Sequence, residues 1–393
     1  MRIAIFFFCY NMANGVLVMY LPAYIHALNL NGGKIAAIAS LSNVALIFVP
    51  PVWGIISDRT QRPATLLKLA CGLAGLAFIP MLWAGTFPQI VTVMAIYNIL
   101  LSPITTLSDT VAVGEARRLG TDYGRLRLWG TIGYIVSVLG FSLWLTRGGT
   151  FQDVPLVGLA AIASYMLAAL FNPESPIDLH RKPPSLRDAG RLLAQPAFLV
   201  FLLAQLVHWM ALQPFYLLFT IHLTDLNLRD YAGVCIAVSA ATEVVLFFCF
   251  GAICRRVPIL LLMGIAGAVS SFRWFCNSNI QSGPAFVAVQ AMHCFSFGAC
   301  YAGSIVYMER TVPPQLLATG RALFSSLVLG LGGVLGVLLA GKLYDAGGGK
   351  LAFRSAGFLD LLTPVLLFVA WRMAARKAEK SEAIVVGLPN VVE

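Results

Sequence analysis

The sequence predicts an all-α integral membrane protein with twelve spanning helices in two six-helix halves. Three observations carry this. Of 393 residues, 59% are hydrophobic and 11% charged, with a mean hydropathy of +0.82, values that no soluble globular, disordered or disulfide-stapled secreted class shares. Apolar runs of about 20 residues, the length a bilayer core demands, recur along the chain. These runs are continuous and do not alternate, which excludes a closed β-barrel.

Taken in order, the runs lie near 3–25, 35–56, 65–85, 88–110, 127–146 and 154–171, then 197–220, 231–252, 259–276, 284–308, 320–341 and 353–372. The first follows Arg2, is broken by Asn11 and Asn14, and lacks a small-residue cleavage site, so it reads as a spanning helix and not a signal peptide. Residues 172–196 carry five prolines and four basic residues without an apolar run. They divide the chain into a bundle at 1–171, a linker, a second bundle at 197–372 and a tail at 373–393. In the eleventh run Gly330, Gly332, Gly333 and Gly336 suit close helix approach. The eight cysteines form no CxxC pair and read as small apolar residues.

The formal charge of +10 is a matter of topology. Twenty of the 27 Lys and Arg residues fall on one side of the predicted spans and six on the other, with Arg273 inside a span. The positive-inside rule then puts both termini and the linker in the cytoplasm of a cell inner (plasma) membrane. No role in binding nucleic acid is needed to explain the charge, and the basic loops meet anionic lipid instead.

Charges inside spans are costly, about 2.5–3.5 kcal/mol each, so each has to be paired, wet or functional. In the second half these are read as Glu243, Arg273 and His293, expected to face one another or a water-filled cavity. In the first half Asn98, Ser102, Thr105 and Asp109 are spaced to share one helix face. Arg127 opens the fifth run and Tyr134 lies two turns further on. Asp109 and Arg127 can hold hydroxyls or a carboxylate, and Tyr134 offers a ring face. Asn11, Asn14 and the stripe Gln205, Trp209, Gln213, Tyr216 are expected to line a cavity or to bond between helices.

After the second run, Gly54-Ile-Ile-Ser-Asp58-Arg59-Thr-Gln-Arg62 resembles the loop signature of the major facilitator superfamily, and Gly251-Ala-Ile-Cys-Arg255-Arg256 echoes it after the eighth. Gly54, Asp58 and Arg59 are accordingly gating candidates. Asp109-Thr-Val-Ala followed by Tyr123-Gly-Arg-Leu-Arg127-Leu-Trp-Gly, with Thr242-Glu243-Val, Ser271-Phe-Arg273-Trp and Met292-His293-Cys-Phe, resembles the lactose permease and phenylpropionate-permease-like branch. The resemblance implies substrate contact for Asp109, Arg127 and Tyr134, and proton coupling for Glu243, Arg273 and His293. It also shows departures: Ser296, Trp209, Leu212 and Gln290 stand where the branch's sugar permeases carry charged partners.

The expected function is alternating-access transport of a small sugar, nucleoside or aromatic acid by proton symport, with a proton gradient as energy source, no cofactor, no metal and a monomeric state. A proton-independent facilitator or exporter is the alternative within the class. Two rivals lie outside it. An intramembrane enzyme using Glu243 and His293 lacks an accompanying nucleophile or metal motif, and a receptor or scaffold is left open by composition alone.

Overall fold

The computed structural model describes residues 2–121, 123–174 and 186–386, and every regular element among them is helical. The first half comprises α1 (Arg2–Ala27), α2 (Gly32–Thr60), α3 (Pro63–Phe78), α4 (Phe87–Leu119), α5 (Tyr123–Thr146) and α6 (Val154–Leu170). Much of the linker lies outside the described residues, and a short α7 (Leu186–Leu193) leads out of it. The second half starts with α8 (Pro196–Asp225), α9 (Ala232–Arg256) and α10 (Ile259–Asn279). Local chemistry sets several of these ends. Thr86 and Gln89 form a capping box at the start of α4, and Asn31 caps α2 by accepting from the Lys34 amide at 3.0 Å.

The last three passes are less regular than the hydropathy suggests. The tenth consists of α11 (Gly283–Gln290), a π-helical turn Cys294–Ala299 and α12 (Cys300–Thr311). After it come α13 (Leu317–Leu323), a second π-helical stretch Phe324–Leu331, α14 (Gly332–Asp360) and α15 (Leu362–Val386). Eleven stretches among the described residues are long and apolar enough to cross a bilayer, but the last, Thr319–Ala375, runs 57 residues. At 1.5 Å per residue that is about 85 Å, far beyond one crossing. The chain turns back at Gly347 and Gly348, where Gly348 has φ 68°, a left-handed conformation that glycine adopts without strain. The neighbours of α14 record the reversal: Gly332 lies against Leu206, Gly336 against Met210, Gly349 against His222, and Asp360 is back beside His208. The stretch therefore makes two passes, bringing the total to twelve.

Packing shows the repeat. In the first half α1 lies on α5 and α6, and in the second α8 lies on α14 and α15. Between halves the contacts pair α1 with its equivalent α8, and α2 with α14 and α5 with α9, two contacts that the halving of the chain exchanges. Glycines make the closest approaches: a side chain at Gly341 would run into the Gly32 backbone, and one at Gly333 into Asn43. Of the cysteines, Cys249 is exposed on the bundle's outer surface and not packed inside it.

The hydrogen bonds between halves gather at the face opposite the termini. Asp345 of α14 accepts from the Gly32 and Gly33 amides at 2.6 and 2.8 Å, capping α2 from the other half. Tyr344 reaches His26 across the halves and Asp225 within its own, Ser142 donates to the Asp230 carbonyl, and Thr220 to the Met19 carbonyl. A carboxylate on two amides at a helix N-terminus contributes about 1–2 kcal/mol. Asp345→Ala is therefore expected to shift the balance toward a form open on this face by roughly five- to thirty-fold. Alkylation of single cysteines introduced around Gly32 and Tyr344, in a cysteine-depleted background, measures it; unchanged accessibility would show that Asp345 does not latch the halves.

Candidate functional site

Two cavities meet at the centre of the bundle. The larger, about 530 Å³, lies between α1 and α5 of one half and α8, α9 and the tenth span of the other. It is lined by Asn11, Arg127, Tyr134, Glu243 and His293, among others. The smaller, about 340 Å³, is uncharged and carries Asn14, Asn43, Asn98 and Gln213 among aliphatic side chains. Trp209 and Tyr216 line both and form the partition. Helical spacing explains this partition: on α8, residues 209, 213 and 216 fall on one face. Gln205, one turn earlier, does not reach the cavity. It is buried and accepts from the Ser304 hydroxyl at 3.1 Å.

On the first-half wall, Arg127 donates to Asp109 at 2.5 Å and to the Tyr123 hydroxyl at 3.0 Å, while Tyr123 donates to Asp109 at 2.7 Å. Only Arg127 of these three lines the cavity. Asp109 stands behind it and aims the guanidinium, which suits Arg127 for direct contact with solute and Asp109 for positioning. The rest of the α4 stripe is used between helices: Thr105 pairs with Tyr10 at 3.0 Å and Ser102 donates to the Ala45 carbonyl.

On the second-half wall, His293 Nε2 lies 2.8 Å from Glu243 Oε1. His293 Nδ1 is buried without a partner among the described residues. A neutral ring donating from Nε2 fits this environment, since a second N–H would be stranded. Arg273 does not join them. It is fully buried behind the cavity, donating to Gln290 Oε1 at 3.2 and 2.5 Å and to Ser296 Oγ at 3.3 Å, and lying over the Phe215 and Trp274 rings. Gln290 and Ser296, two of the positions that depart from the lactose permease branch, thus have a role here: both accept from the Arg273 guanidinium.

Glu243 is not the sole acid within the second-half spans. Asp360, fully buried, lies 2.8 Å from His208 Nδ1, and accepts from the Trp274 indole and the Thr363 hydroxyl at 2.9 Å each. Asp360 escapes a sequence reading because it sits among leucines inside the twelfth apolar run. His208 carried a signal, a histidine within a span. The gating candidates divide: Gly54 and Asp58 belong to α2, with their side chains outside the described residues, and Arg59 is exposed.

Twelve passes in two related halves, with a polar cavity between them at mid-depth, is the architecture of a secondary transporter. The family model described as the MFS_1 like family matches residues 1–355, and the chain belongs to that family of membrane transporters. It is 26% identical to the maltose permease of Geobacillus stearothermophilus over 384 residues, 96% of each chain. It is 25% identical to the xanthosine permease of Escherichia coli (strain K12), over 95% of this chain and 93% of that one. Among solved structures, the nucleoside transporter NupG shares the fold with a TM-score of 0.81 at 19% identity, covering 95% of this chain and 98% of the other.

Proposed function

We propose that the protein is a proton symporter of a small polyhydroxylated ring solute. It sits in the cell inner membrane as a monomer with both termini in the cytoplasm, and in this form the cavity faces the cytoplasm. One observation carries the reading: a hydrogen-bonded Glu243–His293 pair lines the same cavity as Arg127 of the opposite half. A carboxylate in the membrane interior that faces both solute and a histidine can gain and lose a proton as the solute arrives and leaves. The two lobes favour a solute with hydroxyls along its length: Arg127, Tyr134 and Glu243 at one end and the amides of Asn14, Asn98 and Gln213 at the other. Relatives named as permeases of maltose and xanthosine support that class.

The test is uptake of labelled maltose, xanthosine and 3-phenylpropionate into proteoliposomes with and without an imposed pH gradient. Gradient-stimulated uptake of the sugar or nucleoside is expected. Uptake indifferent to the gradient would make the protein a facilitator, and preference for the aromatic acid would overturn the solute class.

A further inference from the structure

We propose that His208 and Asp360 form a second proton-holding site, which lies behind the cavity and positions His293 against Glu243. The inference rests on the proton-symport reading of the cavity, but it concerns groups that the cavity does not contain. Three geometric facts lead to it.

First, both ring nitrogens of His208 meet acceptors. Nδ1 is 2.8 Å from Asp360 Oδ1 and Nε2 is 2.6 Å from the Ser296 carbonyl oxygen. A carbonyl only accepts, so Nε2 carries hydrogen. A second proton then bridges Nδ1 and Asp360, and the pair holds one proton more than a neutral imidazole beside a bare carboxylate.

Second, the charges balance with that proton and not without it. Within the spans of this half the groups are two acids, Glu243 on the cavity wall and the fully buried Asp360, the buried Arg273 guanidinium, and three imidazoles, His208, His293 and His222, the last bonded to the Asn277 carbonyl. Two carboxylates and one guanidinium leave a net charge of −1, and the single extra proton brings the cluster to neutrality, as a low-dielectric setting requires. His293, with one nitrogen unpartnered, is the worse holder of it. The other groups facing the pair are Arg273 on α10, reached through Ser296, the Trp274 indole on α10, Thr363 on α15, and the Cys300 thiol at the start of α12.

Third, Ser296 belongs to the π-helical turn Cys294–Ala299 that follows His293 directly. A π-turn shifts the helical hydrogen-bond ladder and is held in place only by its surroundings. His208 grips its carbonyl while Arg273 grips its hydroxyl, so α8 and α10 together clamp the turn on which the orientation of His293 depends.

The test uses the full chain in lipid bilayers and needs no substrate. Nitrogen-15 NMR of labelled histidine reads the ring states, with the His208 signal assigned by its loss in His208→Phe. Infrared titration follows the Glu243 carboxyl band, assigned by its loss in Glu243→Gln. In the wild type His208 is expected to be an imidazolium at pH 7 and His293 neutral. Asp360→Asn removes one negative and one positive charge together and lets the amide donate to Nδ1, so the His208 ring becomes neutral while the Glu243 midpoint stays put. His208→Phe frees the π-turn and strands Asp360, moving the Glu243 midpoint up by about one pH unit.

A neutral His208 beside an ionised Asp360 in the wild type overturns the proposal, the Asp360 carboxyl band being assigned by its loss in Asp360→Asn. A Glu243 midpoint that is the same in wild type and folded His208→Phe also overturns it, while leaving proton symport intact. A wild-type Glu243 band that never titrates contradicts the symport reading itself, and this proposal with it.

Discussion

Glu243→Gln is expected to abolish accumulation against a gradient while leaving solute exchange across the membrane in place. The amide matches the carboxyl in size and still accepts from His293 Nε2, which lies 2.8 Å from Glu243 Oε1, so the wall of the cavity keeps its shape. What it loses is the ability to carry and release a proton. One proton per solute sustains about tenfold accumulation for each unit of pH difference, since a tenfold ratio corresponds to about 1.4 kcal/mol. In the variant that ratio should fall to unity, with counterflow of preloaded solute continuing at a rate comparable to that of the wild type. A Gln variant that still concentrates solute places the travelling proton elsewhere, and Asp109 becomes the candidate.

The second large effect is at Arg127. Loss of one charge-assisted contact to solute costs about 1.5–3 kcal/mol, so Arg127→Ala is expected to weaken binding roughly 10- to 100-fold. Asp109 does not line the cavity and acts by aiming Arg127 from 2.5 Å. Both side chains are substantially exposed, which discounts the pair to at most about 1 kcal/mol, so Asp109→Asn is expected to cost roughly two- to five-fold. The double variant should bind no worse than Arg127→Ala alone, because a positioning residue has nothing left to position. Additive losses in a titration with maltose or xanthosine would show that Asp109 meets the solute independently.

The spans were legible because a bilayer imposes a length on every apolar run, and helical spacing then placed Asn98 and Gln213 on a shared cavity. For Gln205 it left cavity lining and interhelical bonding open, and the bond to Ser304 is the outcome, since spacing gives a face of a helix but not the depth at which the cavity ends. The π-helical turns at Cys294–Ala299 and Phe324–Leu331 leave no hydropathy signal. Asp360 was hidden by its leucine neighbours, and only the fold brings it to His208, which is 152 residues away. Arg273 was recognised as costly, but its neutral partners Gln290 and Ser296 became visible only once α10 and the tenth span were seen packed together.

The coupling of solute to proton is the central claim, and proton movement driven by solute alone tests it most directly. Proteoliposomes with no imposed gradient, lightly buffered and carrying a pH-sensitive dye, receive saturating maltose or xanthosine, whichever is taken up. A transient alkalinisation of the outer medium, lost in Glu243→Gln and abolished by a protonophore, is the predicted result. Uptake of labelled solute at the usual rate with no change in external pH would contradict it.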